Sequence, residues 1–395
     1  MKNQNQNSIT MAIKLFNTPL NILNLLSSFF FFACGLTCGI ILTFYFNNFN
    51  LNLQVINSQI LNYSSSISSQ LSPPAVPVPM IHRLGFTDYI KPYNIQHDMN
   101  DDELLWRSSM VPKVKKFPFK RVPKIAFMFL TKGPILLSPL WEMFFKGYEE
   151  FYSIYIHSNP CYNQSEVVES PIFHGRRIPS KEVQWGKVNM VEAEKRVLAN
   201  ALLDISNQKF VLLSEACIPL FNFSTVYNYL MNSTKNFVES YDLPGPVGRG
   251  RYQSKMSPTI KVEQWRKGSQ WFEIDRDLAV EVVSDETYFP VFQKHCMGSC
   301  YADEHYLPTF VNMKFKERNS GRSLTWVNWA KGGPHPAQYY RTDVTLEFLE
   351  KLRSESNCEY NGKKTSVCHL FARKFTQHSL SRLLRFAPKV MQFNH

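Results

Sequence analysis

The chain has 395 residues, 44% of them hydrophobic and 14% aromatic, and its 44 Lys and Arg against 32 Asp and Glu leave a net charge of +12. That is enough apolar material for one large or two ordinary domains plus appendages, and it excludes a disordered, collagen-like or coiled-coil chain. The positive balance suits anionic ligands: nucleic acid, anionic lipid or phosphorylated small molecules.

No Asp, Glu, Lys or Arg occurs from Leu15 to His82. Inside that window residues 25–46 (LLSSFFFFACGLTCGIILTFYF) are long enough for a helix that crosses a bilayer core, which takes about 20 apolar residues. A signal peptide has a shorter apolar region, roughly 7–15 residues, followed by a small-residue cleavage site. Here the run instead ends in Phe44, Tyr45 and Phe46. Lys2 and Lys14 precede it and nothing basic follows before Arg83, so the positive-inside rule predicts a cytosolic tail over 1–24 and a type II single-pass anchor over 25–46. Residues 47–120 read as a stem, rich in Asn and Ser and then in Pro (SPPAVPVP), and 121–395 as the luminal domain. The basic run at 111–124 reads as a solvated lead-in, with polyanion contact as the sharper reading.

Two features agree with a luminal fate. Sequons for N-glycosylation stand at Asn62, Asn163, Asn222 and Asn232. Beyond the anchor lie Cys161, Cys217, Cys296, Cys300, Cys358 and Cys368, an even set that allows up to three disulfides, with Cys358–Cys368 the favoured local pair. Cys296 and Cys300 have the alternative of zinc, but lack a matching second pair.

Residues 124–130 (KIAFMFL), 151–157 (FYSIYIH) and 209–214 (KFVLLS) have the length and composition of strands. Helices are expected over 136–148, 190–205, 275–284, 303–313 and 342–354. In the second of these, Glu192, Glu194, Lys195 and Arg196 suit an exposed side. The alternation predicts an α/β fold: an open, mostly parallel sheet flanked by helices. Ligands of such sheets sit at the strand carboxyl ends, so the loops after Leu130, His157 and Ser214 should line the site.

The sequence has no P-loop, no Rossmann glycine pattern, no Gly-x-Ser-x-Gly elbow and no His-Glu-x-x-His. None of the three expected strands ends in an Asp-x-Asp, the usual device for holding a metal against a sugar nucleotide. GPVGRGR, 245–251, reads as a mobile surface loop. Four strings stand out: KGSQWFEIDRD, CYADEHYLPT, WAKGGPHPAQY and CHLFARKF. Singly, each has an ordinary reading. Asp303 can stabilise a helix amino terminus, Lys331 can be solvated, and Arg373 with Lys374 can complement a helix end.

Together with KIAFMFL, FYSIYIHSNP, VQWGKVNMVEAEKRVL and KFVLLSEACIPL, these strings resemble, in order from about Lys124 to Phe375, the core-2/I-branching β-1,6-N-acetylglucosaminyltransferase family, most closely its plant branch. The resemblance implies a GT-A-like fold, a UDP-sugar donor, inversion at the anomeric carbon and no metal or other cofactor. It implies that Glu304 is the general base and Lys374 the diphosphate-binding lysine, with Lys364 or Lys363 a loose candidate for a second basic partner. Ser269, Gln270 and Trp271 fall on the acceptor side, where Trp271 either stacks on a sugar or packs in the core. Arg251 and Glu239 sit near the acceptor-contacting stretch of the animal enzymes. His157 follows a strand in the donor half, and Glu215 is either a buried acid or a site group. The animal branch transfers N-acetylglucosamine, and glucuronic acid is the expectation for some plant relatives. The partners implied are a UDP-sugar, a glycan or glycoprotein acceptor and the Golgi membrane, not nucleic acid. The alternative is a catalytically inactive, membrane-anchored protein of the same fold that binds glycan or nucleotide.

Overall fold

The computed structural model of the protein describes residues 30–39, 85, 90, 94–114, 116–161 and 170–393. They fall in two units, 1–82 and 83–395. In the first, residues 30–39 form a helix that exposes Phe30, Phe31, Phe32 and Leu36. The rest of the expected span and the sequon at Asn62 lie outside the described residues, among which no helix is long and apolar enough to cross a membrane.

The second unit is mixed α/β. Its central sheet contains β1 (Lys124–Thr131), β2 (Tyr152–Ser158), β3 (Asn207–Ser214) and β5 (Glu273–Asp275) in the order β2-β1-β3-β5. The first three strands run parallel and β5 is antiparallel. Both faces of the sheet are covered, so β1 is apolar on both sides, and strand parity divides the core in two. Ile125, Phe127, Phe129, Ile154, Ile156, Val211 and Leu213 face one cluster. Ala126, Met128, Tyr155, Phe210 and Leu212 face the other.

On the first face lie α2 (Ser138–Phe145), α4 (Phe223–Asn232), α8 (Leu346–Ser354) and α9 (Leu380–Phe386). A small second sheet joins them, with β9 (Phe371–Arg373) between β4 (Ile218–Pro219), antiparallel, and β6 (Thr325–Val327), parallel. The hairpin β7 (Cys358–Tyr360) and β8 (Lys363–Thr365) precedes β9. The expected Cys358–Cys368 disulfide forms at the base of this hairpin, and Cys296 is bonded to Cys300 rather than poised for zinc. Cys161 and Cys217 are free thiols.

On the second face lie α3 (Asn189–Leu202), α5 (Arg276–Val283), α6 (Phe289–His295) and α7 (Ala302–Lys314), together with α1 (Asp101–Ser109). Two expectations are corrected here. The stem was expected to run to residue 120, yet 101–109 is a helix capped by the Asn100 side chain, with Leu104 buried against this core. Helix α3 was expected to expose Glu194, Lys195 and Arg196, yet all three are at most 5% exposed. The reason is that α3 packs against the sheet on one side and α1, α5 and α7 on others, so it has almost no free face. Each buried charge has found a partner. Gln270 Nε2 donates to Glu194 at 2.8 Å, Lys195 lies 4.3 Å over the Phe289 ring, and Arg196 forms a bidentate pair with Asp101 at 2.8 Å per bond.

Candidate active site

Glu304 stands in the first turn of α7 with its side chain only partly exposed. Arg251 Nη1 donates to its Oε2 at 2.5 Å, and Lys267 Nζ donates to the same oxygen. Burial alone would raise this carboxyl, but Lys267 and then Arg251 outweigh it and hold it below the ordinary glutamate value. It is therefore an ionised acid whose second oxygen, Oε1, has no ion pair among the described residues.

The backbone at Glu304 is arranged by a proline. Pro308 lies inside α7, four residues on, and cannot donate to the Glu304 carbonyl as a helical residue would. Gly268 N–H takes that carbonyl instead, at 2.9 Å. A side chain at Gly268 would collide with the Glu239 carbonyl at 1.8 Å and Pro308 Cγ at 2.8 Å, so only glycine lets the strand come this close. The imperfect helix thus docks the 268–271 segment directly beside the acid.

Below the acid lie two more carboxyls. Asp303 is 5% exposed, its Oδ1 has no hydrogen-bond partner, and burial followed by the charge on Glu304 pushes it up to about 6. Glu194 is pushed well up by burial and then by Asp303. Glu239, on the other flank of Gly268, is also raised, by burial first.

The 268–271 segment leads to a second, basic pole. Ser269 Oγ accepts from Trp271 N–H at 3.3 Å, and the Trp271 ring is buried with the Arg373 guanidinium 4.1 Å above it. Of the two readings of Trp271, core packing is the one the structure places. Lys374 follows Arg373 directly. Its ammonium is lowered by burial, then by Arg373, and by Lys132 in the loop after β1, while Glu215, in the loop after β3, opposes them. Arg373 and Lys132 are thus its cationic neighbours and Glu215 its acidic one, so positive charge outweighs negative around Lys374. The backbone here is fixed by Phe375 N–H to the Ala216 carbonyl and Tyr339 N–H to the Lys374 carbonyl, each 2.9 Å. This pole lies at the carboxyl ends of β1 and β3, where the loop after Leu130 and the loop after Ser214 were expected to meet a ligand.

Other expected residues fall elsewhere. His157, at the carboxyl end of β2, shares the parity of Tyr155, so its ring points at α3 and not into the cleft. There its Nε2 accepts from Arg196 at 2.9 Å. Burial, and then the Arg196 charge, lower it to about 4, so the ring is neutral. Lys364 is exposed on β8. Its hairpin is held to the end of α4 by Tyr360 Oη to the Tyr229 carbonyl (2.8 Å) and Asn361 to the Asn232 carbonyl (2.9 Å). That end adjoins Lys209, at the start of β3, a strand length of about 20 Å from Glu215 and Lys374. The structure holds Lys364 on this hairpin, and the charged neighbours of Lys374 are Arg373, Lys132 and Glu215 instead. Neither Arg373 nor Lys132 was singled out from sequence beside a ligand, although HLFARKF puts Arg373 next to Lys374.

The 245–251 stretch is held rather than loose. Arg249 pairs with Asp242 at 2.5 Å, the Trp265 indole donates to the Gly248 carbonyl at 3.2 Å, and Arg251 reaches Glu304. Of the sequons, Asn163 lies outside the described residues, and Asn232 is exposed. Asn222 caps α4 by accepting from Thr225 N–H at 2.9 Å.

The family model described as Core-2/I-Branching enzyme matches residues 125–353, which include Glu304 but end before β9. A rice protein (Oryza sativa subsp. japonica), Glycosyltransferase BC10, is 34% identical over 306 residues, covering 66% of this chain and 76% of its own length.

Proposed function

Since the chain belongs to the Core-2/I-branching enzyme family, we propose that it is an inverting, metal-independent glycosyltransferase with a GT-A-like fold. It moves a sugar, N-acetylglucosamine or a relative such as glucuronic acid, from a UDP-sugar to a glycan hydroxyl. It acts in the Golgi lumen behind a type II anchor at 25–46. One observation carries the reading: an ionised acid at one end of the 268–271 segment and a cationic cluster at the other. Three residues of chain span at most about 10 Å, which is the scale of a hexose bearing a diphosphate.

The acceptor hydroxyl attacks the anomeric carbon from the face opposite the departing UDP. Its proton passes to Glu304 Oε1 as the new C–O bond forms and the bond to the diphosphate oxygen breaks. Held below its ordinary value, the carboxylate is ionised at neutral pH, and it takes a proton that becomes acidic only as attack proceeds. The leaving diphosphate gains negative charge, which Lys374, Arg373 and Lys132 balance in a partly dry setting. Those side chains supply the charge in place of a divalent cation.

Purified protein should release UDP from a UDP-sugar in the presence of acceptor and excess chelator. Glu304→Gln should lower turnover on the order of a hundredfold or more, with UDP affinity by calorimetry unchanged. Activity lost on chelation would remove the metal-independent mechanism. UDP binding without transfer for every donor and acceptor pair would favour a binding protein of the same fold.

A further inference from the structure

Beside the Glu304 ion pairs lies an aromatic group with no part in the proposed proton transfer or leaving-group neutralisation. Tyr301, one residue before α7, has a left-handed backbone (φ 51°), unusual for a residue with a side chain. The Arg251 guanidinium lies 4.1 Å over one side of its ring, and the same guanidinium bonds Glu304. Trp185 packs edge-on to Tyr301 with ring centroids 5.2 Å apart. His335, from the GGPHP loop, is tilted against Trp185 at 5.6 Å. The approach depends on Gly186, whose φ is +75° and where any Cβ would stand 3.0 Å from the Tyr301 ring. Three segments distant in sequence thus build one shelf, Trp185–Tyr301–Arg251–Glu304, with Trp185 its open end at 49% exposure.

An indole half open to solvent, braced on its far side and coupled through three contacts to a reactive carboxylate, offers a flat apolar face beside polar groups. A pyranose ring has one face made of C–H bonds and a rim of hydroxyls, and these two surfaces match. We infer that Trp185 is a sugar-binding residue: its ring seats a pyranose, and the shelf behind it sets that ring's distance from Glu304. The pyranose belongs either to the donor or to the acceptor. The assignment rests on the transferase reading above and adds a residue that the mechanism does not require.

The test compares wild type with Trp185→Ala and Trp185→Phe in two assays. Saturation-transfer NMR with methyl β-galactoside, and separately with UDP-N-acetylglucosamine and UDP-glucuronic acid, reads ring contact without turnover. Wild type should saturate the sugar C–H protons of at least one probe; Trp185→Ala should lose that signal and Trp185→Phe keep most of it. In steady-state transfer, Trp185→Ala should raise one KM about tenfold or more with kcat within about threefold. A rise in the acceptor KM places the ring on the acceptor, and a rise in the UDP-sugar KM places it on the donor. Saturation lost in Trp185→Ala with no transfer by wild type would leave the shelf standing and defeat the transferase reading. The inference is overturned if no probe is saturated by wild type, if Trp185→Ala matches wild type in both assays, if Trp185→Phe is as poor as Trp185→Ala, or if only kcat falls.

Discussion

Glu304 shows what a single residue can and cannot announce. Its place in YADEHYLPT was readable, and the resemblance offered it a role. Its partners were not, because Lys267 and Arg251 are 37 and 53 residues away and meet it only after folding. Those partners set its acidity. With Lys267 and Arg251 holding it down, the acidic limb of kcat/KM should lie below the ordinary glutamate value of 4.5. Lys267→Met removes a charge that favours the carboxylate, so the protonated form gains and the limb should move to higher pH. A pH–rate profile of the two proteins checks this, and a limb that stays in place would show that Lys267 does not tune the acid. Trp271 carries the opposite lesson. A tryptophan in a site string is open or buried according to what approaches it, and Arg373 arrives from 102 residues further on.

At the level of elements, the strands and helices of 124–354 were legible because their hydrophobic periods are strong. Residues 124–131, 152–158 and 207–214 are strands close to where their composition put them, and five expected helices formed within a few residues. What α3 packs against was not legible. Glu194, Lys195 and Arg196 look like a solvent-facing run until Gln270 and Phe289 close over the first two and α1, hidden in an apparent stem, covers the third. The Asp101–Arg196 pair is the fastening. Asp101 is drawn down to about 2, mainly by its hydrogen bond from Arg196 working against burial, and then by Lys181. A depressed carboxylate contributes stability that is present above its unfolded value of 3.8 and is lost as pH falls toward 2. Asp101→Asn should therefore destabilise the protein at pH 7, on the order of 1–3 kcal/mol after allowance for the exposed side of the pair. Urea unfolding should show that deficit narrowing between pH 4 and pH 2; a constant deficit would mean that the amide disturbs packing rather than charge.

Across the whole molecule, the parallel sheet was foreseeable from alternation, and the second sheet was not. Strand β9 is three residues long and owes its place to β4 and β6, each too short to signal itself. Glu273 ties the two sheets together. It sits in β5 of the large sheet and its Oε2 accepts from Leu324 N–H, just before β6 of the small one, at 3.2 Å. Burial pushes this carboxyl up to about 8 from 4.5. Between those values the folded protein holds a proton that the unfolded chain releases, so stability falls as pH rises through that window. Glu273→Gln has no proton to lose. Its melting temperature should gain on wild type from pH 5 to pH 8, and parallel profiles would show that Glu273 is already ionised in the fold.

The two poles of the site are mounted on opposite sides of the central sheet. The acid rides on α7, whose Ala302, Tyr306 and Leu307 belong to one core, and the lysine follows β9, whose Phe371 and Ala372 belong to the other. The banks touch where Arg373 lies over Trp271, and changes away from that contact leave the foundations of the other bank in place. On the proposed reading, substitutions in the acid's bank redraw which alcohol is admitted while nucleotide capture stays as it was, so that one lineage diversifies its products without re-inventing its fuel.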